Sequence, residues 1–174
     1  KGKNRWGRGP IIICMDESSS MYAMKAEGKA FCLAFLLIEQ KQKRDFVVIP
    51  FSFDIGDVHY FYKGQTYTDH IIQFSEQFLG GSTNFEKPLR RSLSILMESN
   101  FNKADIVFVT DGSSILSNSF IEEFNEVKKQ LKVECISIVL TNDYTTMELS
   151  VVHKFSNKVI VVKDLFEAEE VFSL

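Results

Sequence analysis

Two near-continuous apolar runs, at 11–15 (Ile-Ile-Ile-Cys-Met) and 104–110 (Ala-Asp-Ile-Val-Phe-Val-Thr), constrain this chain more than any other feature. Neither alternates polar with apolar residues, so each reads as a strand buried on both faces. Strands of that kind lie in parallel sheets, whose connections are long and usually helical. The stretches between them supply such connections. Over 24–42, Ala30, Phe31, Ala34, Phe35 and Ile38 keep the i, i+3, i+4 spacing, and Cys32, Leu33, Leu36 and Leu37 fill the other sides. A helix apolar on so many sides is expected to be deeply packed. Lys41, Lys43 and Arg44 close it with the sign of charge that a helix C-terminus favours.

Further strands are expected at 46–53, 58–62, 133–140 and 158–162, and further helices at 69–78, 86–98, 120–131, 147–155 and 165–172. Pro88 suits the first turn of its helix. Only Asp54-Ile55-Gly56-Asp57 separates the second strand from the third, too short for a crossover, so that pair is expected to be an antiparallel hairpin. The expected fold class is α/β: a doubly wound, Rossmann-like, mostly parallel six-stranded sheet with one antiparallel edge strand and helices on both faces. It forms one domain, 9–174. A basic lead-in at 1–8 (Lys1, Lys3, Arg5, Arg8) reads as solvated chain, and the start at Lys1 reads as that of a segment of a longer protein.

Composition removes several function classes. A net charge of −3 excludes electrostatic nucleic-acid binding by the chain as a whole. The longest unbroken apolar run, 31–38, is far short of the ~20 residues that span a bilayer. Cys14, Cys32 and Cys135 lie in apolar stretches and form no C-x-x-C pair, as expected of core thiols in a reducing, cytoplasmic compartment. His59, His70 and His153 share no ligand spacing. Most of the sixteen phenylalanines fall on strands or apolar helix faces and are assigned to the core.

Chemistry concentrates in three loops that this architecture sends to the C-terminal edge of the sheet, where open α/β sheets bind ligands. The first, behind strand one, carries Asp16, Ser18 and Ser20. The second carries Gly80-Gly81-Ser82-Thr83, and the third Asp111-Gly112. Two carboxylates and three hydroxyls make an oxygen-only set suited to a hard divalent cation, with a coordination position left for an incoming oxygen.

With D-x-S-x-S at 16–20, Thr83 and Asp111 in order and in context, the chain resembles a von Willebrand factor A (VWA) domain over about 9–162. The resemblance implies a metal ion-dependent adhesion site (MIDAS) formed by Asp16, Ser18, Ser20, Thr83 and Asp111. It would hold Mg²⁺, or Mn²⁺ or Ca²⁺, and accept a Glu or Asp from a protein partner. Gly9-Pro10, Lys29-Ala30-Phe31-Cys32-Leu33-Ala34, Phe78-Leu79-Gly80-Gly81 and Ala104-Asp105 look most like the prokaryotic ViaA and CoxE-like group. That likeness implies a MoxR-type AAA+ ATPase as partner, and no enzymatic activity of the domain itself. Ser19 stands where the family usually has Gly; if that position needs φ > 0, the serine strains the loop and weakens the metal. Asn84 stands near where relatives often carry Asp. Two other readings are a haloacid dehalogenase-type phosphohydrolase with Asp16 as nucleophile, and a VWA domain whose site binds no metal.

Overall fold

The computed structural model describes residues 9–65, 68–141 and 148–163. Strand β1 (Ile11–Asp16) leads through a 3-10 turn, Ser19–Met24, into α1 (Lys25–Lys41). Then come β2 (Phe46–Phe51), β3 (His59–Phe61), α2 (Thr68–Glu76), α3 (Glu86–Leu96), β4 (Asp105–Thr110), α4 (Asn118–Leu131), β5 (Cys135–Leu140), α5 (Ser150–Phe155) and β6 (Lys158–Val162). The six strands form one sheet in the order β3-β2-β1-β4-β5-β6. Every neighbouring pair is parallel except β2 with β3. The expected α/β class and the antiparallel edge are therefore observed.

The order contains one reversal. The chain steps outward from β1 to β3, then returns to the other side of β1 to lay down β4. The loops leaving β1 and β4 flank this switch point, where a crevice opens beyond the strand ends.

Because successive strand residues face opposite ways, each strand divides its apolar residues between two cores. Ile11, Ile13, Met15, Val107 and Val109 join Phe31, Phe35 and Leu36 of α1 and Phe74 of α2. Ile12, Cys14, Ile106 and Phe108 join Phe85, Leu89, Phe120, Phe124 and Phe155 on the other face. The three cysteines are free and buried.

Several details depart from expectation. Strand β2 ends at Phe51, because the chain folds back at once: Phe51 bridges to Ile55, and Gly56 N–H donates to Pro50 O at 2.8 Å. Pro50 has no N–H to give and lies beyond the reach of the short β3, which pairs only with residues 46–48. Helix α1 is not buried on all sides: Phe31, Cys32, Phe35 and Leu36 are buried, whereas Leu37 is 65 % exposed. One helix seats one stripe on a sheet, and α1 carries more apolar residues than that stripe holds. The 1–8 lead-in and the expected helix at 165–172 lie outside the described residues. No described helix is long and apolar enough to cross a membrane.

Candidate metal centre

Asp16 closes β1 and is fully buried. Parallel pairing sets Met15 beside Val109, so the next residues on the two strands, Asp16 and Thr110, adjoin. Both carboxylate oxygens of Asp16 are engaged. Oδ1 accepts from Ser18 N–H at 2.9 Å, and Oδ2 accepts from the Thr110 hydroxyl at 2.7 Å. Burial nevertheless pushes the Asp16 carboxyl up to about 6; the Ser18 and Thr110 hydrogen bonds oppose the rise and the Asp111 charge adds to it.

The hydroxyls converge in front of it. Ser18 Oγ and Ser20 Oγ lie 3.2 Å apart. Ser20 then lines an open cleft of about 510 Å³, together with Gly81, Ser82, Thr83, Ser114 and Ile115. Ser20 and Thr83 thus line one cleft, and the buried Ser18 and Asp16 stand behind Ser20. Asp111 follows Thr110 directly and is half-buried.

The loops are tied to each other by the backbone. Gly80 N–H donates to Glu17 O at 2.8 Å, and the Ser114 hydroxyl donates to Thr83 O at 3.2 Å. Gly80 and Gly81 have φ of +69° and +88°, conformations that a side chain would strain.

Ser19 corrects an expectation. The only described non-glycine residues with positive φ are Lys43 and Lys132, so Ser19 is under no backbone strain. It clasps the second loop instead: its N–H donates to Gly81 O at 2.9 Å, and its Oγ accepts from Gly81 N–H at 2.8 Å. Ser19→Ala is therefore expected to lower stability by about 0.5–1.5 kcal/mol through loss of that second bond. Urea denaturation measures it; a variant as stable as the parent would show that the clasp carries no weight. Asn84 also has its own task, since its Oδ1 accepts from Lys87 N–H at 3.1 Å at the start of α3.

Reasoning from the sequence missed the groups that hold the motif from behind. Glu17 and Lys29 are both buried and form a short ion pair. The Lys29 ammonium also donates to Phe74 O at 2.7 Å and sits 3.9 Å from the centre of the Phe74 ring. The available signal was weak: Lys29 directly precedes the apolar run 30–38 and shares its helix face with Cys32 and Leu36. Thr110 gave none, because its role depends on which strand lies beside β1.

Among the described residues no three of His, Cys, Asp and Glu converge.

The fold defined by this sheet and its switch-point site is the VWA-type α/β fold. A von Willebrand factor type A structure from Catenulispora acidiphila superposes with a TM-score of 0.73 at 14 % identity, over 94 % of this chain and 41 % of that one. The BatB protein of Bacteroides thetaiotaomicron does so with a TM-score of 0.63 at 15 % identity, over 95 % of each chain. In sequence, two uncharacterized proteins of Methanocaldococcus jannaschii are each 33 % identical, over 93 % and 99 % of this chain but 36 % and 43 % of their own lengths. The regulatory protein ViaA of Edwardsiella ictaluri is 31 % identical over 60 % of this chain and 21 % of its own. The chain thus spans less than half the length of these relatives. No family model matches it.

Proposed function

We propose that this chain is a metal-dependent protein-interaction module. Asp16, Ser18, Ser20, Thr83 and Asp111 form a MIDAS for Mg²⁺, with Mn²⁺ or Ca²⁺ as alternatives, and a Glu or Asp of a partner protein completes the shell. The observation that carries this reading is the pair of hydroxyls 3.2 Å apart, Ser20 lining the cleft and Ser18 buried beside the Asp16 carboxylate. Adjacent ligands of an octahedral Mg²⁺ stand about 2.9–3.0 Å apart, so the two serines need little adjustment. Asp16 is also a buried charge without a buried cation against it, and a bound ion would offset its desolvation.

When bound, the ion supplies a Lewis-acidic point for a carboxylate oxygen. The chain's own residues hold its position and leave the cleft side open. The likeness to the regulatory protein ViaA supports a regulatory role, and the sequence resemblance to the ViaA and CoxE-like group adds a MoxR-type AAA+ ATPase as the partner we propose. The buried free thiols support a cytoplasmic setting.

The phosphohydrolase reading fares worse. A nucleophilic Asp16 would need a free oxygen facing substrate, yet it is fully buried with both oxygens hydrogen-bonded. The unstrained Ser19 removes the main reason to expect a site without metal.

The test is thermal unfolding with Mg²⁺ and with EDTA. At a hundredfold excess over Kd the ion should stabilise by about 2.7 kcal/mol, which raises Tm by roughly 5–10 °C. Asp16→Asn keeps an oxygen for Ser18 N–H and should abolish that rise without lowering Tm in EDTA. A Mg²⁺-induced rise that persists in Asp16→Asn, or none in the parent, would sink the metal site.

A further inference from the structure

The opposite end of the sheet carries a second cleft, of about 1140 Å³, where the chain enters β4, β5 and β6. Lys103, Lys128, Lys129, Lys132 and Lys154 line it. Among the described residues, Asp105 and Glu134 are the acidic ones along the same walls. Five cations against two anions leave the described lining of this cleft at +3 in a chain whose net charge is −3, so the charge is segregated. Lys128 is built in rather than solvated. It is 6 % exposed, and its ammonium donates to two neutral acceptors, Phe155 O at 2.6 Å and Asn157 Oδ1 at 2.8 Å. Burial lowers its pKa, while the Glu134 charge acts against that shift. An incoming anion would do the same.

We propose that this cleft is a docking site for an acidic protein segment, a run of Asp and Glu side chains, at the end of the domain remote from the candidate metal centre. The lining selects this partner over nucleic acid. Among the described residues lining the cleft there is no aromatic ring on which a base could stack. Nor is there an arginine, whose fork would match a phosphate bidentately. Lysine ammoniums on flexible stems suit dispersed carboxylates. A domain with a candidate cation centre at one end and a lysine cleft at the other can join two protein partners. This reading does not depend on the metal site.

The experiment is fluorescence anisotropy of a labelled poly-glutamate peptide with the whole chain, at low salt and in EDTA. The peptide should bind, and Lys129→Glu with Lys154→Glu should weaken it about tenfold or more. The same number of reversals elsewhere, Lys25→Glu with Lys87→Glu, should leave affinity within about twofold, as should Asp16→Asn. Because EDTA is present and Asp16→Asn is included, failure of the metal reading would not touch the result. Absence of binding, equal loss in the Lys25 and Lys87 variant, or tighter binding of a single-stranded RNA of equal charge would each overturn the proposal.

Discussion

Lys29→Met is expected to destabilise the domain by about 3–5 kcal/mol, a large part of the 5–15 kcal/mol that holds an ordinary domain together. The cause is the charge left behind. The Glu17 and Lys29 side chains are 1 % and 7 % exposed, and Glu17 Oε1 already lacks a hydrogen-bond partner. Burial raises the pKa of Glu17 and lowers that of Lys29, so each is charged at a cost that its partner offsets. Without the ammonium, Glu17 must stay buried as an unpaired anion or take up a proton.

The sign of the pH dependence follows. A carboxylate whose folded pKa lies above its unfolded value costs stability at high pH, and the cost is relieved as pH falls through the folded pKa. The deficit of Lys29→Met should therefore shrink on acidification from neutral toward the ordinary glutamate range. A double variant, Glu17→Met with Lys29→Met, should recover most of the loss, since an apolar pair can replace a buried ion pair at little cost. Urea denaturation of the parent, the Lys29→Met variant and the double variant measures this. A double variant as unstable as Lys29→Met would show that the unpaired charge is not the cause. The pair also anchors the candidate site, because Glu17 N–H donates to Phe51 O and Glu17 O accepts from Gly80 N–H.

Phe108→Ala should cost a similar amount, about 3–5 kcal/mol. Phe108 lies at the middle of β4, fully buried, with its ring centre 4.9 Å from that of Phe85, 5.1 Å from Phe155 and 5.2 Å from Phe51. Those three rings come from the approach to α3, from α5 and from β2, which cannot all close on one cavity. The void therefore stays open, and the loss should sit toward the upper end of that range. Phe108→Leu keeps most of the volume and should cost under about 1.5 kcal/mol. A loss below about 1 kcal/mol for Phe108→Ala, with an unchanged denaturant slope, would mean that the second core collapses more freely than its packing implies.

Much of this arrangement was legible from the chain. The near-continuous apolar runs at 11–15 and 104–110 marked central strands, and the link between the second and third strands, 52–58 in the structure, is too short for a crossover helix and so dictated the antiparallel edge. The three polar loops were also readable, since strand and helix alternation sends the ends of parallel strands to one edge. Less was readable where a residue's role depends on a distant neighbour. Nothing near Thr110 in sequence indicates that its hydroxyl meets Asp16, ninety-four positions away. Whether Ser19 would be strained was open for a related reason: φ at that position depends on how the second loop meets the first, and in the fold it is not positive.

The amino-acid sequence alone determined the elements, their buried faces and the D-x-S-x-S loop with its threonine and second aspartate, because those follow from local periodicity and from side-chain chemistry. Only the tertiary structure decided that β4 lies beside β1, that Glu17 and Lys29 pair behind the loop, and that five lysines share one cleft at the far end. These features depend on the order of strands in the sheet. That order is set by how whole faces pack, and no window of the sequence contains it.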